Sequence, residues 1–352
     1  MAGYLSGTAL WVNNLLASSG IAAALADTVI TVLPPHWAAP AHAVAIILVI
    51  ATIAIVNLTG ATRGAQLINA ATLLKLIPLA VFLLAGVSAF QGTKFFQGVT
   101  PTTTGIGHAM ILALFVFTGM EVSVCASGEV TEPSRNIPRG LLIAMLVLTL
   151  LYVSIQVIAQ GMLGSALAHS AVPLADAMAP ISPVLRLMML AGAALSMFGC
   201  ISTDQFCSPR ILFAIARDGL LPRFLGKVNP TTHTPNAAIL CYAALAITLS
   251  LSGSFVELAV LATLLCAFLY IAGCAAALRL ARRGVALAGN PLNFRWLTAA
   301  AFVGIASMLG LIALASRREI LGMVGIIALS ALVYVVQTRV ALQAGSSESG
   351  AG

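Results

Sequence analysis

The chain has 352 residues, 60% of them hydrophobic and 8% charged, and a mean hydropathy of +1.06. A soluble domain carries about three times that share of charged residues, so the composition excludes one and describes a polytopic membrane protein. The formal charge of +7 follows position: Arg63, Arg135, Arg139, Arg217, Arg223, Lys227, Arg279, Arg282, Arg283, Arg295 and Arg339 fall in alternate loops or at the C-terminal end. The opposite loops hold only Lys94, Arg317 and Arg318, with Arg186 near a helix entrance. This positive-inside bias puts both chain ends in the cytoplasm, and it is topology rather than a nucleic-acid footprint.

A membrane-spanning helix needs roughly 20 apolar residues, and about ten stretches qualify: 8–32, 42–59, 66–90, 105–126, 140–163, 183–213, 236–252, 255–278, 296–315 and 319–340. The runs are continuous rather than alternating, so each satisfies its own backbone as a helix, and the fold class is all-α. The first stretch includes Asn13, Asn14 and Asp27 and has no basic segment before it, which predicts a transmembrane helix rather than a cleaved signal. Asn13 and Asn14 suit interhelical hydrogen bonding.

Ionisable groups inside a span are costly and are functional candidates. Lys75 falls near the middle of the third stretch, too deep for easy snorkelling. It is either a structural lysine bonding the carbonyls of a broken neighbour or a proton carrier, since burial disfavours its charged form. Glu121 follows Phe115, Phe117, Thr118 and Gly119 in the fourth stretch. Gly119 permits non-helical backbone and Thr118 can donate to a freed carbonyl, so this segment is predicted to break the helix at mid-depth. Broken ends bind a carboxylate and an ammonium without many charged side chains. The alternative is a loop-capping Glu, a role that Glu129 fits better. Phe115 and Phe117 are either packing residues or a gate over a substrate. Asp204, in the sixth stretch, either faces a water-filled pathway or pairs with Arg210. Glu257 reads as an interfacial charge at a helix start.

Cys125, Cys200, Cys207, Cys241, Cys266 and Cys274 occur singly, and His36, His42, His108, His169 and His233 never fall two to a helical turn. A metal site is not expected, and the cysteines read as small packing residues. No phosphate-cradling GxxxxGK stretch exists, which argues against an ATP-driven pump. No cofactor is expected, and no cluster of nucleophile, base or metal ligands points to an enzyme.

Three stretches together resemble the amino acid–polyamine–organocation permeases: "LFVFTGMEVSVCASGEVTEPSRNIPRG", "ILFAIARDGLLPRFLGKVNPTTHTPNAAI" and "NLTGATRGAQLINAATLLKLIPLAVFLLAG". They look like the family's sixth helix and following loop, the end of its eighth helix, and its fourth-to-fifth helix region, and the likeness extends over nearly the whole chain. The resemblance implies a leucine-transporter-like fold of two inverted five-helix repeats, with the first and sixth helices unwound at the substrate. It implies that Thr118, Gly119 and Glu121 belong to the unwound part of the sixth helix. Phe115 then matches an aromatic gate, Asn14 a third-helix asparagine near the substrate, and Lys75 a fifth-helix lysine that couples protons. Phe117 and Asp204 complete the candidate substrate-binding and proton-coupling sets.

The family has twelve helices, and this sequence starts at what looks like the third, so a truncated fold is expected. Residues 1–90 correspond to a remnant of the first repeat, 105–278 to the second, 294–341 to the last helix pair, and 342–352 to a disordered tail. The implied function is secondary active transport of amino acids or related amines across the cytoplasmic membrane, proton-coupled or exchanging. The partners are a small-molecule substrate and the lipid bilayer. The competing expectation is a non-transporting remnant or scaffold. The substrate's side chain and the oligomeric state are not legible, and the Ala, Leu and Arg bias suggests a bacterium with GC-rich DNA.

Overall fold

A computed structural model describes residues 1–31, 33–60, 75–97, 102–121, 131–284 and 295–349. Among them are twelve α-helices and no strand: α1 (Ala2–Ile30), α2 (Ala38–Leu58), α3 (Leu76–Ala89), α4 (Gly92–Phe95), α5 (Thr103–Phe115), α6 (Pro133–Leu163), α7 (Pro173–Met178), α8 (Pro183–Arg217), α9 (Asn236–Ser252), α10 (Phe255–Arg282), α11 (Leu297–Ala313) and α12 (Arg317–Ser349). The all-α expectation holds. Each of the ten apolar stretches contains a helix. Six of these are long and apolar enough to cross a membrane, whereas α3, α5, α9 and α11 are shorter apolar helices. Helix α12 runs to Ser349, past position 342 where the tail is expected to begin. Cys125, Glu129 and Arg63 lie outside the described residues.

The chain divides into two compact units: Met1–Ile77 with Leu190–Leu265 and Arg317–Gly352, and Pro78–Met189 with Cys266–Ser316. In the first unit, α1 packs on α2 and α9, and α9 packs on α2. Leu15, Ile46, Ile50, Ile53, Ile201 and Tyr242 fill the core between them. Polar groups of α1 point inward: Thr8, Asn13, Asn14, Ser18 and Ser19 are all buried. The hydroxyls of Thr8 and Ser19 donate to carbonyls one turn back, Tyr4 and Leu15, so they are buried without loss of a hydrogen bond. Ser250 of α9 donates to the Ser19 carbonyl at 2.9 Å, tying α9 to α1.

Helix α8 contains Pro209. Proline has no N–H to give the carbonyl four residues back, which is that of Gln205. Asn57 of α2 donates its Nδ2 to that carbonyl at 3.1 Å, so the proline gap becomes an interhelical hydrogen bond.

In the second unit, small residues allow close approach. A Cβ on Gly161 would lie 2.1 Å from the Phe90 ring, and one on Gly86 would lie 2.3 Å from Ile158. Lys94 Nζ donates to the Met162 carbonyl at 3.1 Å, near the C-terminal end of α6 where helical carbonyls lack partners. Helix α6 starts at Pro133, whose fixed φ suits the first helical position. Leu142, Ile143, Leu146, Val147, Leu150 and Val153 along it are exposed. An outward apolar band of this extent suits lipid rather than water.

Candidate functional site

Two polar centres stand inside the apolar helices, one in each unit. In the second unit, α5 ends at Phe115 and the backbone continues through turns to Glu121. The N–H of Phe117 bonds the Leu114 carbonyl and that of Thr118 bonds the Phe115 carbonyl, tighter three-residue turns in place of the helical ladder. Thr118 Oγ1 donates to the Phe115 carbonyl at 2.7 Å, the local use expected of that hydroxyl. Gly119 follows with φ +99°, a conformation that L side chains rarely adopt. Both Glu121 oxygens accept the Gly119 N–H at 3.2 Å, and Oε2 also accepts the Tyr270 hydroxyl of α10 at 3.2 Å. Phe117 packs edge-on against Tyr152 of α6, ring centroids 6.0 Å apart. Phe117, Thr118, Gly119 and Glu121 therefore share one non-helical segment, directly after Phe115 at the end of α5. Tyr270 and Tyr152 are additions that the sequence pattern did not single out.

In the first unit the centre is Asp204 of α8. Ser208 Oγ donates to Asp204 Oδ1 at 2.7 Å, and the Tyr242 hydroxyl of α9 donates to Oδ2. Asn14 Nδ2 donates to Ser208 Oγ at 3.0 Å, and Asn13 Nδ2 donates to Asn14 Oδ1 at 3.2 Å. Trp11 stands edge-on to Tyr242 at 6.2 Å. Of the two expectations for Asp204, pairing with Arg210 is not what the geometry gives: that guanidinium lies over the Phe206 ring at 3.8 Å. Asn14 belongs to the Asp204 hydrogen-bond chain through Ser208. Lys75 is in a turn directly before α3, residues 61–74 lying outside the described chain. The Cys200 thiol, one turn before Asp204 on α8, is within electrostatic reach of both Asp204 and Lys75. The structure thus joins Asp204 and Asn14 in one hydrogen-bond chain through Ser208.

Several buried polar atoms around α1 and α8 have no protein partner: Trp11 Nε1, Asn13 Oδ1, and both side-chain polar atoms of Gln205. Buried amides are usually satisfied, so this part of the span is unusually polar. No group of three or more His, Cys, Asp or Glu suited to a metal occurs among the described residues.

Residues 1–341 match the amino acid permease family. The chain belongs to that family, within the amino acid–polyamine–organocation superfamily. It is 32% identical over 227 residues to an uncharacterized transporter of Mycobacterium tuberculosis, covering 62% of this chain and 51% of that protein. A branched-chain amino acid permease of Lactococcus lactis is 26% identical over 240 residues, 64% of this chain and 50% of that protein. A vacuolar cationic amino acid transporter of Arabidopsis thaliana is 26% identical over 216 residues, 60% and 36% of the two chains. The chain spans about half the length of the first two of these relatives. Family membership and six spanning helices make this permease-family chain a multi-pass membrane protein.

Proposed function

We propose that the protein is a secondary transporter of amino acids, acting in the cytoplasmic membrane by alternating access with both termini in the cytoplasm, and that it makes or breaks no covalent bond. The observation that carries the reading is the end of α5 at Phe115, inside an apolar stretch, followed by the Gly119 turn and Glu121. Non-helical backbone and the Glu121 carboxylate at such a break suit the charged ends of an amino acid. Thr118, Gly119 and Glu121 would line the backbone-binding part of the site, and Phe115 and Phe117 would close over it. The family match supports an amino acid as cargo, and likeness to a branched-chain permease makes leucine the first probe. Residues 105–278 are read as the second of two inverted repeats, 1–90 as part of the first, and 294–341 as the final helix pair.

Lys75 is assigned to coupling: a proton gained or lost on its amine would bias the transport cycle. The purified chain in proteoliposomes should accumulate radiolabelled leucine under an inward proton gradient, with unlabelled amino acids competing. Absence of both accumulation and leucine exchange, with every other amino acid equally inert, overturns the reading. Lys75→Ala should abolish uptake driven by the pH gradient, and unchanged uptake would remove Lys75 from coupling.

A further inference from the structure

The other carboxylates of the first unit among the described side chains stand at helix ends: Asp27 in a last turn, Asp218 just after α8, Glu257 and Glu319 in first turns. Asp204 differs. It is 13 residues before Arg217, the last residue of α8, or roughly 20 Å along the axis, well inside a hydrocarbon core about 30 Å thick. Its hydrogen-bond partners, Tyr242 and Ser208, are neutral. A carboxylate inside a membrane without a cation at hydrogen-bond distance is costly, and either a proton or a nearby positive charge relieves that cost. Cys200 lies on the same face of α8 one turn away, and Lys75 is within electrostatic reach of it.

We propose that Asp204 is a second proton-binding group of the transport path, besides the Lys75 amine, and that Tyr242, Ser208 and Asn14 are positioning residues that hold its carboxyl group. The inference deepens the transport reading and rests on it for its biological meaning, although proton binding at Asp204 can be measured without transport. The step is a single protonation: a proton adds to one carboxylate oxygen and later leaves it, and no other bond changes. The ionised acid adds one negative charge to the span, and the neutral acid adds none.

The geometry distinguishes this group from an ordinary buried acid. Both oxygens are oriented by donors from two helices. Ser208 is held in turn by Asn14 of α1, and Asn14 by Asn13. The ionisable groups that face Asp204 are Tyr242 on α9 and Cys200 on its own helix, and Lys75, ahead of α3, is within electrostatic reach of Cys200. Helix α1 contributes Asn14, through Ser208, and Ser18, which do not titrate near neutrality, and α2 contributes Asn57, bound to the neighbouring Gln205 carbonyl. Cys200 is exposed and Asp204 is half-buried.

Infrared difference spectra of the full chain in lipid, recorded between about pH 4 and 9, where carboxyl groups of ordinary or raised pKa titrate, test the proposal. A protonated-carboxyl band should be lost in Asp204→Asn, persist in Glu121→Gln, and shift in frequency in Tyr242→Phe because a hydrogen-bond partner is gone. Asp204→Glu should restore a band, which separates loss of the acid from failure to fold. In proteoliposomes, the ratio of gradient-driven leucine uptake to leucine exchange at equal pH should fall at least about tenfold in Asp204→Asn and recover in part in Asp204→Glu. A band unaltered by Asp204→Asn overturns the inference even if the parent transports leucine. An Asp204-dependent band in a parent that exchanges no amino acid overturns the transport reading and leaves the proton site standing.

Discussion

Gly119, at φ +99°, has open space where a Cβ would project, so the cost of replacing it is conformational rather than steric. Gly119→Ala should lower stability by about 1–2 kcal/mol, seen as a lower thermal midpoint in detergent, with apparent leucine affinity falling as the turn relaxes. The same midpoint in both proteins would show that the turn tolerates a side chain. The identity of the break at Thr118 and Gly119 was legible because glycine permissiveness and a local hydroxyl bond are properties of adjacent residues. The roles of Asn14 and Asp204 were not legible in the same way. Asn14 is as suited to a ligand as to a helix contact, and only the position of Ser208, 194 residues away, decides its partner. Arg210 was a reasonable partner for Asp204 by spacing, but its guanidinium stacks on Phe206 and leaves the carboxylate to Tyr242.

Helices in the membrane gain no hydrophobic free energy by leaving lipid, so their association depends on close packing and interhelical hydrogen bonds. The Pro209 gap in α8, filled by Asn57 of α2, is one such bond. Asn57→Ala should cost about 1 kcal/mol, and the cost should shrink in a Pro209→Ala background, where the alanine N–H can return to the Gln205 carbonyl. A double-mutant cycle on thermal stability measures this, and additive effects would disconnect Asn57 from the proline. In the second unit, Gly161→Ala forces a methyl into the Phe90 ring and should cost about 1–3 kcal/mol, relieved in part by adding Phe90→Leu. Helix α10 begins with reciprocal bonds: the Ser254 N–H donates to Glu257, and the Glu257 N–H donates to Ser254 Oγ. That arrangement is a capping box, which refines the reading of Glu257 as an N-terminal charge. Lys75 lies where the third apolar stretch meets α3. The apolar run continues through it, and of that run α3 is described from Leu76.

For the whole molecule, the excess of Arg and Lys on alternate loops predicts a cytoplasmic C-terminus. A fluorescent protein fused there should be bright in intact cells, and alkaline phosphatase fused there inactive; the opposite pair of results would invert the topology. The sequence by itself determined the membrane class, the all-α fold, the apolar stretches containing the ten helices and the family. These depend on composition and on runs of neighbouring residues, each helix satisfying its own backbone within one stretch of chain. Only the tertiary structure decided which polar groups meet. The Asp204–Tyr242 and Asn57–Gln205 pairs join residues 38 and 148 positions apart, and Tyr270 reaches Glu121 across 149. Such pairings depend on how helices are rotated and packed against one another, which a single chain's hydropathy does not encode.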